Sequence, residues 1–235
     1  MKLITIANPK GGCGKTTTAV YLSLLLQEKG LKTLLIDLDP QQHASLALGN
    51  QPVEKNLDLQ ALKAQEGEYN FVICDTPPAL NELTAKAIRA ADAVIAPVEM
   101  GIFALRGAGH LQNFVQEIRK KDPPTVWGLA TLYDPRTRFA KNFLAELAQF
   151  FGHHLLSSLI YSTVKIREAA SAGKPMMSQG GSAHGYKDYS ALAEEVLHKI
   201  VPAIKTRETS AVEEEITIPS DGVTLDEFDQ LMQDI

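Results

Sequence analysis

The sequence predicts an α/β fold in which a mostly parallel, twisted sheet is covered by helices on both faces. Apolar runs of strand length alternate with segments of helix length through most of the chain. The runs are continuous rather than alternating, as in Leu3-Ile4-Thr5-Ile6-Ala7 and Phe71-Val72-Ile73-Cys74-Asp75. Continuous runs mark strands buried on both faces, which is the environment of a parallel sheet. Each intervening segment is long enough for a right-handed crossover.

Taken in order, the first run passes directly into Lys10-Gly11-Gly12-Cys13-Gly14-Lys15-Thr16-Thr17 and then into the apolar stretch Ala19 to Leu26. A glycine-rich loop between a strand and a helix is a phosphate cradle. Its glycines let the backbone turn tightly and aim N–H groups inward, and the new helix adds its positive N-terminal end. In such a loop Lys15 reaches the terminal phosphates and the Thr16 hydroxyl ligates a magnesium ion. The usual pattern places glycine five residues before Gly14, where this chain has Pro9, so the loop is a variant.

Gly30 closes the first helix, and residues 32–37, KTLLID, form the second strand. It leads to Asp37-Leu38-Asp39-Pro40, whose two carboxylates stand two residues apart and point the same way, toward the phosphate crevice or as caps on the following helix. A short helix is expected over residues 57–64, and Glu66-Gly67-Glu68 reads as a turn. The run Phe71 to Asp75 ends in a carboxylate and is stopped by Thr76-Pro77-Pro78, the arrangement of a Walker B strand, in which Asp75 holds magnesium. A helix over Asn81 to Ala91, a strand over Ala93 to Val98 and a helix from Phe103 to the Asp122-Pro123-Pro124 stop follow. Gly101 lies just before that helix and is expected to loosen any contact its start makes. Next come a strand over Val126 to Tyr133, a helix over Phe139 to Phe151 closed by Gly152, a strand over Leu155 to Ile160, and a covering helix over Tyr186 to Val201.

The chain has 235 residues, 45% of them apolar, and a net charge of −5. That suffices for one full core, with no apolar run of membrane-spanning length and no signal-like N-terminus, so a cytoplasmic protein is expected. Residues 1–205 are expected to form one domain and residues 206–235 an acidic linker with a possible short amphipathic helix, a docking element, a latch or a frayed end. Nine acidic residues and no lysine or arginine fall between Glu208 and Ile235, leaving 23 basic against 19 acidic residues elsewhere. The body of the chain is thus mildly basic. Cys13 and Cys74 have neither the spacing nor the position of a disulfide framework or thiolate metal site. Cys13 stands beside lysines at a helix start, where a thiol pKa can fall, or is simply a small residue in a permissive slot.

The loop variant, a Gly-Gly pair preceded by Lys10, resembles the deviant Walker A loop of the ParA/MinD class of P-loop ATPases, closest to the Soj-like ParA proteins. The Asp37-to-Pro40 segment and the Asp75 strand follow in the order that family has them, and the resemblance covers about residues 1–202. It implies ATP and Mg2+ as ligands, with Lys10 crossing a homodimer interface to the nucleotide of the other subunit. Asp39 is then the catalytic residue that positions the attacking water, with Lys10 and Lys15 stabilising phosphoryl charge, while Asp37 supports the hydration shell of the metal held by Thr16 and Asp75. Family members bind DNA backbone without sequence preference through basic residues in two regions that here carry Arg136, Arg138, Lys165 and Arg167. The implied function is a ParA-type ATPase, slow until a ParB-like or cargo-adaptor partner stimulates it, that associates with the nucleoid in its ATP state and positions a plasmid, chromosome or protein assembly. Two related alternatives share the scaffold: a MinD-like regulator, which would end in a basic membrane helix where this tail is acidic, and a metabolic ATP-dependent ligase or synthetase. The segment at 41–69 is shorter than in many family members.

Overall fold

A computed structural model describes residues 1–48, 58–64, 68–101, 103–164, 168–169, 172 and 184–204. The chain divides into two units, Met1–Val201 and Pro202–Ile235. The tail from residue 205, with its expected amphipathic helix, lies outside the described residues, as do Lys165, Arg167 and the expected turn at 66–67.

The first unit is built on a six-stranded sheet in the order β2-β3-β1-β4-β5-β6, with every neighbouring pair parallel. The strands are β1 (Lys2–Ile6), β2 (Thr33–Asp37), β3 (Phe71–Asp75), β4 (Ala93–Glu99), β5 (Thr125–Tyr133) and β6 (Leu155–Tyr161). The helices are α1 (Lys15–Glu28), α2 (His43–Ala47), α3 (Leu59–Ala64), α4 (Glu82–Ala90), α5 (Ala104–Ile118), α6 (Arg138–Phe151) and α7 (His184–Glu195). The α/β reading and the order of the strands along the chain therefore hold.

Two departures have physical causes. The short helix α2 lacks an apolar repeat; it forms because the Asp37 carboxylate accepts the Ala44 N–H at 3.1 Å, a cap supplied from the end of β2. The expected single helix over Tyr186–Val201 is instead α7 followed by a π-helical turn, Val196–Ile200. There Glu195 accepts the N–H groups of Ser157 and Ser158 at 2.7 and 2.8 Å, and Lys199 donates to the Leu155 carbonyl at 2.9 Å. Further along, Asp188 accepts the Tyr161 N–H at 3.0 Å. Side chains of α7 and its π turn thus satisfy the open backbone edge of β6, which would otherwise be free to pair with another chain.

One face of the sheet carries α1 and α7, joined by Tyr21 and Tyr189, whose rings stack at 5.0 Å, and by a 3.4 Å contact between the Tyr189 and Thr18 hydroxyls. The opposite face carries α4, α5 and α6. There Ala108, Leu111 and Val115 of α5 and Phe143, Leu147 and Phe151 of α6 share one core with the strands. The Phe151 ring lies directly on Gly128 of β5, where a Cβ would come within 2.5 Å of it. At the N-terminal end of the sheet, Asp92 accepts the Leu3 N–H at 2.7 Å and pairs with Lys63, tying α3 to the sheet.

Because α1 leaves β1 to one face and α4 leaves β3 to the other, a crevice opens between the C-terminal ends of these adjacent strands. In open parallel sheets that is where ligands lie.

Candidate nucleotide and metal site

The loop after β1 occupies this crevice. Gly12 and Gly14 have φ of 77° and 92°, so each would be strained with a side chain. Gly14 precedes the first residue of α1, and its carbonyl accepts the Thr18 N–H at 2.9 Å. The loop is braced from three strands. Thr76 donates its hydroxyl to the Ile6 carbonyl at 2.8 Å, Thr131 of β5 donates to the Cys13 carbonyl at 2.8 Å, and Asn8 donates Nδ2 to the Pro97 carbonyl at 2.7 Å. Pro97 sits in a central strand, which is ordinarily unfavourable. Here β1 pairs with β4 only as far as Ile6 opposite Ile95, so on that side Pro97 faces the departing loop, while on the other it stays in register with Leu129 of β5.

Lys15 is buried and donates Nζ to the Lys10 carbonyl at 2.8 Å. The Lys10 ammonium pairs with Glu99 Oε2 at 2.7 Å. Gly11 and Gly12 are exposed, and Thr16 and Thr17 are partly so, at the start of α1. Cys13 is buried, its thiol donating to the Lys10 carbonyl at 3.3 Å. Burial raises its pKa and outweighs the lowering effect of Lys15, so the lysine-activated thiol considered from sequence is replaced by an inert packing residue.

Asp37 and Asp75 are paired in register on β2 and β3, opposite each other at the two strand ends, and so face the same side, that of α1. Asp75 is fully buried, and neither carboxylate oxygen has a hydrogen-bond partner. Burial pushes its pKa up to about 7, and the nearby charges of Asp37 and Asp39 push in the same direction. The Thr16 hydroxyl and Lys15 act against that rise, the hydroxyl from close by but outside hydrogen-bond geometry. A buried carboxylate with two unsatisfied oxygens, a threonine hydroxyl beside it and two more carboxylates nearby is a hard oxygen donor set of the kind magnesium takes. Asp75 and Thr16 therefore fit a magnesium ion.

The two carboxylates after β2 differ. Asp37 accepts the Asp39 N–H at 2.9 Å on one oxygen and the Ala44 N–H on the other, so its capping role is real; its pKa is raised by burial despite these bonds. With the Ser45 N–H also bearing on it, the carboxylate still has acceptor capacity for an outer contact. Asp39, also buried, accepts the Gln41 N–H at 2.9 Å. Lys10 through Thr17, Asp37, Asp39 and Asp75 thus come together at one end of the sheet.

Of the basic residues expected at a DNA surface, Arg136 and Arg138 lie exposed between β5 and the start of α6. Arg136 forms a two-pronged pair with Asp134 at 2.8 and 2.6 Å, which holds the Asp134 pKa down to about 2 and raises that of Arg136. Just upstream, Leu132 has a φ of 53° at an irregularity in the β5–β6 ladder, a strained position for a leucine that redirects the chain into Asp134. Asn8, Glu99, Thr131 and Asp134 were not singled out from sequence. Their partners lie far away in sequence or, for Asp134, in a surface pair that charge counting cannot resolve.

Residues 4–176 match the model of the CobQ/CobB/MinD/ParA nucleotide binding domain. The chromosome-partitioning ATPase Soj of Thermus thermophilus is 31% identical, with 86% of this chain and 98% of that protein covered. The chromosome partitioning protein ParA of Caulobacter vibrioides is 30% identical over 85% of this chain and 95% of its own. Among solved structures, cobyrinic acid a,c-diamide synthase from Mycobacterium smegmatis with a bound ATP analog and magnesium superposes with a TM-score of 0.70. It is 24% identical, covering 84% of this chain and 94% of its own, a likeness of fold. The chain belongs to the CobQ/CobB/MinD/ParA family of nucleotide-binding domains, in its ParA class.

Proposed function

We propose that this protein is a ParA-type ATPase that binds ATP with magnesium, closes into a homodimer around the nucleotide, binds DNA without sequence preference in that state and so positions a cargo. The observation that carries the nucleotide half is the unsatisfied Asp75 carboxylate facing Thr16 and Lys15 at the end of a glycine-rich loop. Magnesium, when bound, neutralises charge on the β- and γ-phosphates. Asp75 and Thr16 hold it, with Asp37 contributing from the outer shell. Lys15 exchanges the Lys10 carbonyl for phosphate oxygens, and the loop N–H groups between Gly11 and Thr17 cradle the phosphates. Asp39 orients the attacking water, and Asp37 fixes Asp39 by accepting its N–H. Lys10 serves the nucleotide of the other subunit. Phe103, 73% exposed at the start of α5 and beside the turn that carries Gly101, is apolar surface that such a dimer covers.

Arg136, Arg138, Lys165 and Arg167 supply the DNA contact, which should therefore weaken steeply with salt. Four residues per protomer give a dimer a slope of log K against log salt no steeper than about −7. A ParB-like or cargo-adaptor protein stimulates an otherwise slow turnover. The test is ATP turnover by wild type and Asp39→Ala, with and without DNA, and DNA binding by wild type and a variant lacking the four basic residues. Loss of turnover with retained nucleotide binding, and loss of ATP-dependent DNA binding, are expected. Equal turnover removes Asp39 from catalysis, and DNA binding indifferent to the four substitutions removes that surface. Turnover that instead requires a small-molecule co-substrate identifies a ligase or synthetase.

A further inference from the structure

Lys10 is fixed to the C-terminal end of β4 at both its backbone and its side chain. Its N–H donates to Asn8 Oδ1 at 2.9 Å, and Asn8 in turn donates to the Pro97 carbonyl of β4. Two residues beyond Pro97, Glu99 takes the Lys10 ammonium at 2.7 Å. The turn that follows leaves room for this pair, since a Cβ on Gly101 would lie only 3.5 Å from Lys10 Nζ. The two side chains are 38% and 33% exposed, so the ammonium is open to a competing anion.

We propose that Glu99 is a positioning residue for Lys10: it holds the ammonium on its own subunit, and each Lys10 must leave its Glu99 to serve the nucleotide of the other subunit. The inference rests on the cross-subunit role given to Lys10 above. Dimerisation then exchanges one anionic partner, a carboxylate, for another, a polyphosphate. ATP, with one more phosphate than ADP, is the stronger competitor, so Glu99 sets a threshold that favours the triphosphate. A partly exposed ion pair contributes up to about fivefold to an equilibrium constant. Two such pairs are broken per dimer, so their loss should tighten the dimer by up to about 25-fold. Because the pair is solvent-facing, salt should erase the difference.

The test is analytical ultracentrifugation of the full chain with magnesium and a non-hydrolysable ATP analogue, at low and high salt, for wild type, Glu99→Gln, Lys10→Ala and the double variant. Glu99→Gln is expected to dimerise more tightly than wild type at low salt, by up to about 25-fold, with the gap closing at high salt. Lys10→Ala is expected to dimerise poorly, and adding Glu99→Gln to it should change nothing. A Glu99→Gln dimer no tighter than wild type, with Lys10→Ala still defective, overturns the hold on Lys10 and leaves the cross-subunit role standing. A gain that persists without Lys10 overturns it too. Lys10→Ala dimerising like wild type defeats the cross-subunit role itself, and the inference with it.

Discussion

Replacing Asp75 with asparagine tests the magnesium site through the stability of the fold itself. The carboxyl has a pKa of about 7, against an ordinary 3.8, because it is buried without partners. Each tenfold in proton affinity is worth about 1.4 kcal/mol, so ionising this group costs the nucleotide-free fold roughly 4 kcal/mol. The sign follows from the folded pKa lying above the unfolded one. The native state binds the extra proton, the stabilising contribution is fully present below pH 3.8, and it is lost as pH rises through about 7. About two of the three tenfold steps lie above pH 5, so roughly 3 kcal/mol is lost between pH 5 and pH 8. Asparagine keeps the shape and removes the ionisation. In urea denaturation with a metal chelator, the stability of Asp75→Asn relative to wild type should therefore rise by that amount from pH 5 to pH 8. The constant cost of burying the amide cancels from this difference. Magnesium with an ATP analogue should stabilise wild type and not the variant, and at pH 7 its binding to wild type should release about half a proton. A stability difference that is flat across pH, or a variant still stabilised by magnesium and nucleotide, refutes the assignment.

Other substitutions probe the frame and the surface. Gly128→Ala drives a methyl group into the Phe151 ring and should lower stability by about 1–3 kcal/mol in thermal denaturation, with Phe151→Leu in the same chain recovering part of it. Glu195→Gln loosens the clasp on the β6 edge and should cost about 1–3 kcal/mol at pH 7. Burial pushes the Glu195 pKa up, but the bonds from Ser157 and Ser158 and the nearby Lys199 hold it below its ordinary 4.5. That contribution is thus present above pH 4.5 and lost as pH falls, opposite in sign to Asp75. Asp134→Asn releases Arg136 from its pair and should strengthen DNA binding at low salt, steepening the slope of log K against log salt by up to about 0.9 per protomer. An unchanged slope shows that the pair with Asp134 does not hold Arg136 away from the phosphates.

The legible parts of this molecule are those in which a role is written into neighbouring residues. The run Phe71 to Asp75 carries its own burial, its stop and its terminal carboxylate, and it forms β3 with those bounds. The same holds for the glycine-rich loop, where the backbone conformation at Gly12 and Gly14 is a local demand. What sequence could not supply was pairing at a distance. Asn8 and Lys10 meet Pro97 and Glu99 only because β1 and β4 are neighbours in the sheet, and Thr131 reaches Cys13 from β5. Helix α2 has no apolar repeat to mark it, only the Asp37 cap, and nothing in an apolar stripe signals the clasp on β6 that accompanies the π turn. Cys13 shows the same limit in electrostatics: adjacent lysines argue for a lowered thiol pKa, and burial, which is not local, outweighs them.

The charges of the site also explain why its parts belong to one ligand. Its three aspartates and its lysines form no ion pairs with each other. Asp75 has no hydrogen-bond partner, while Lys15 donates to a backbone carbonyl and Lys10 is taken by Glu99 at the rim. Burial raises the pKa of Asp75, and Asp37, opposite it in register, and Asp39 add to the rise, which a cation would relieve. Two lysines resting on weak or exposed partners are released most readily by an anion of higher charge. A cation alone would leave the lysines where they are, and a phosphate alone would repel the carboxylates. A magnesium–triphosphate complex answers both demands at once, with the metal on the Asp75 side and the phosphates on the lysine side. In the dimer proposed above, release of Lys10 from Glu99 would tie that neutralisation to the arrival of another subunit.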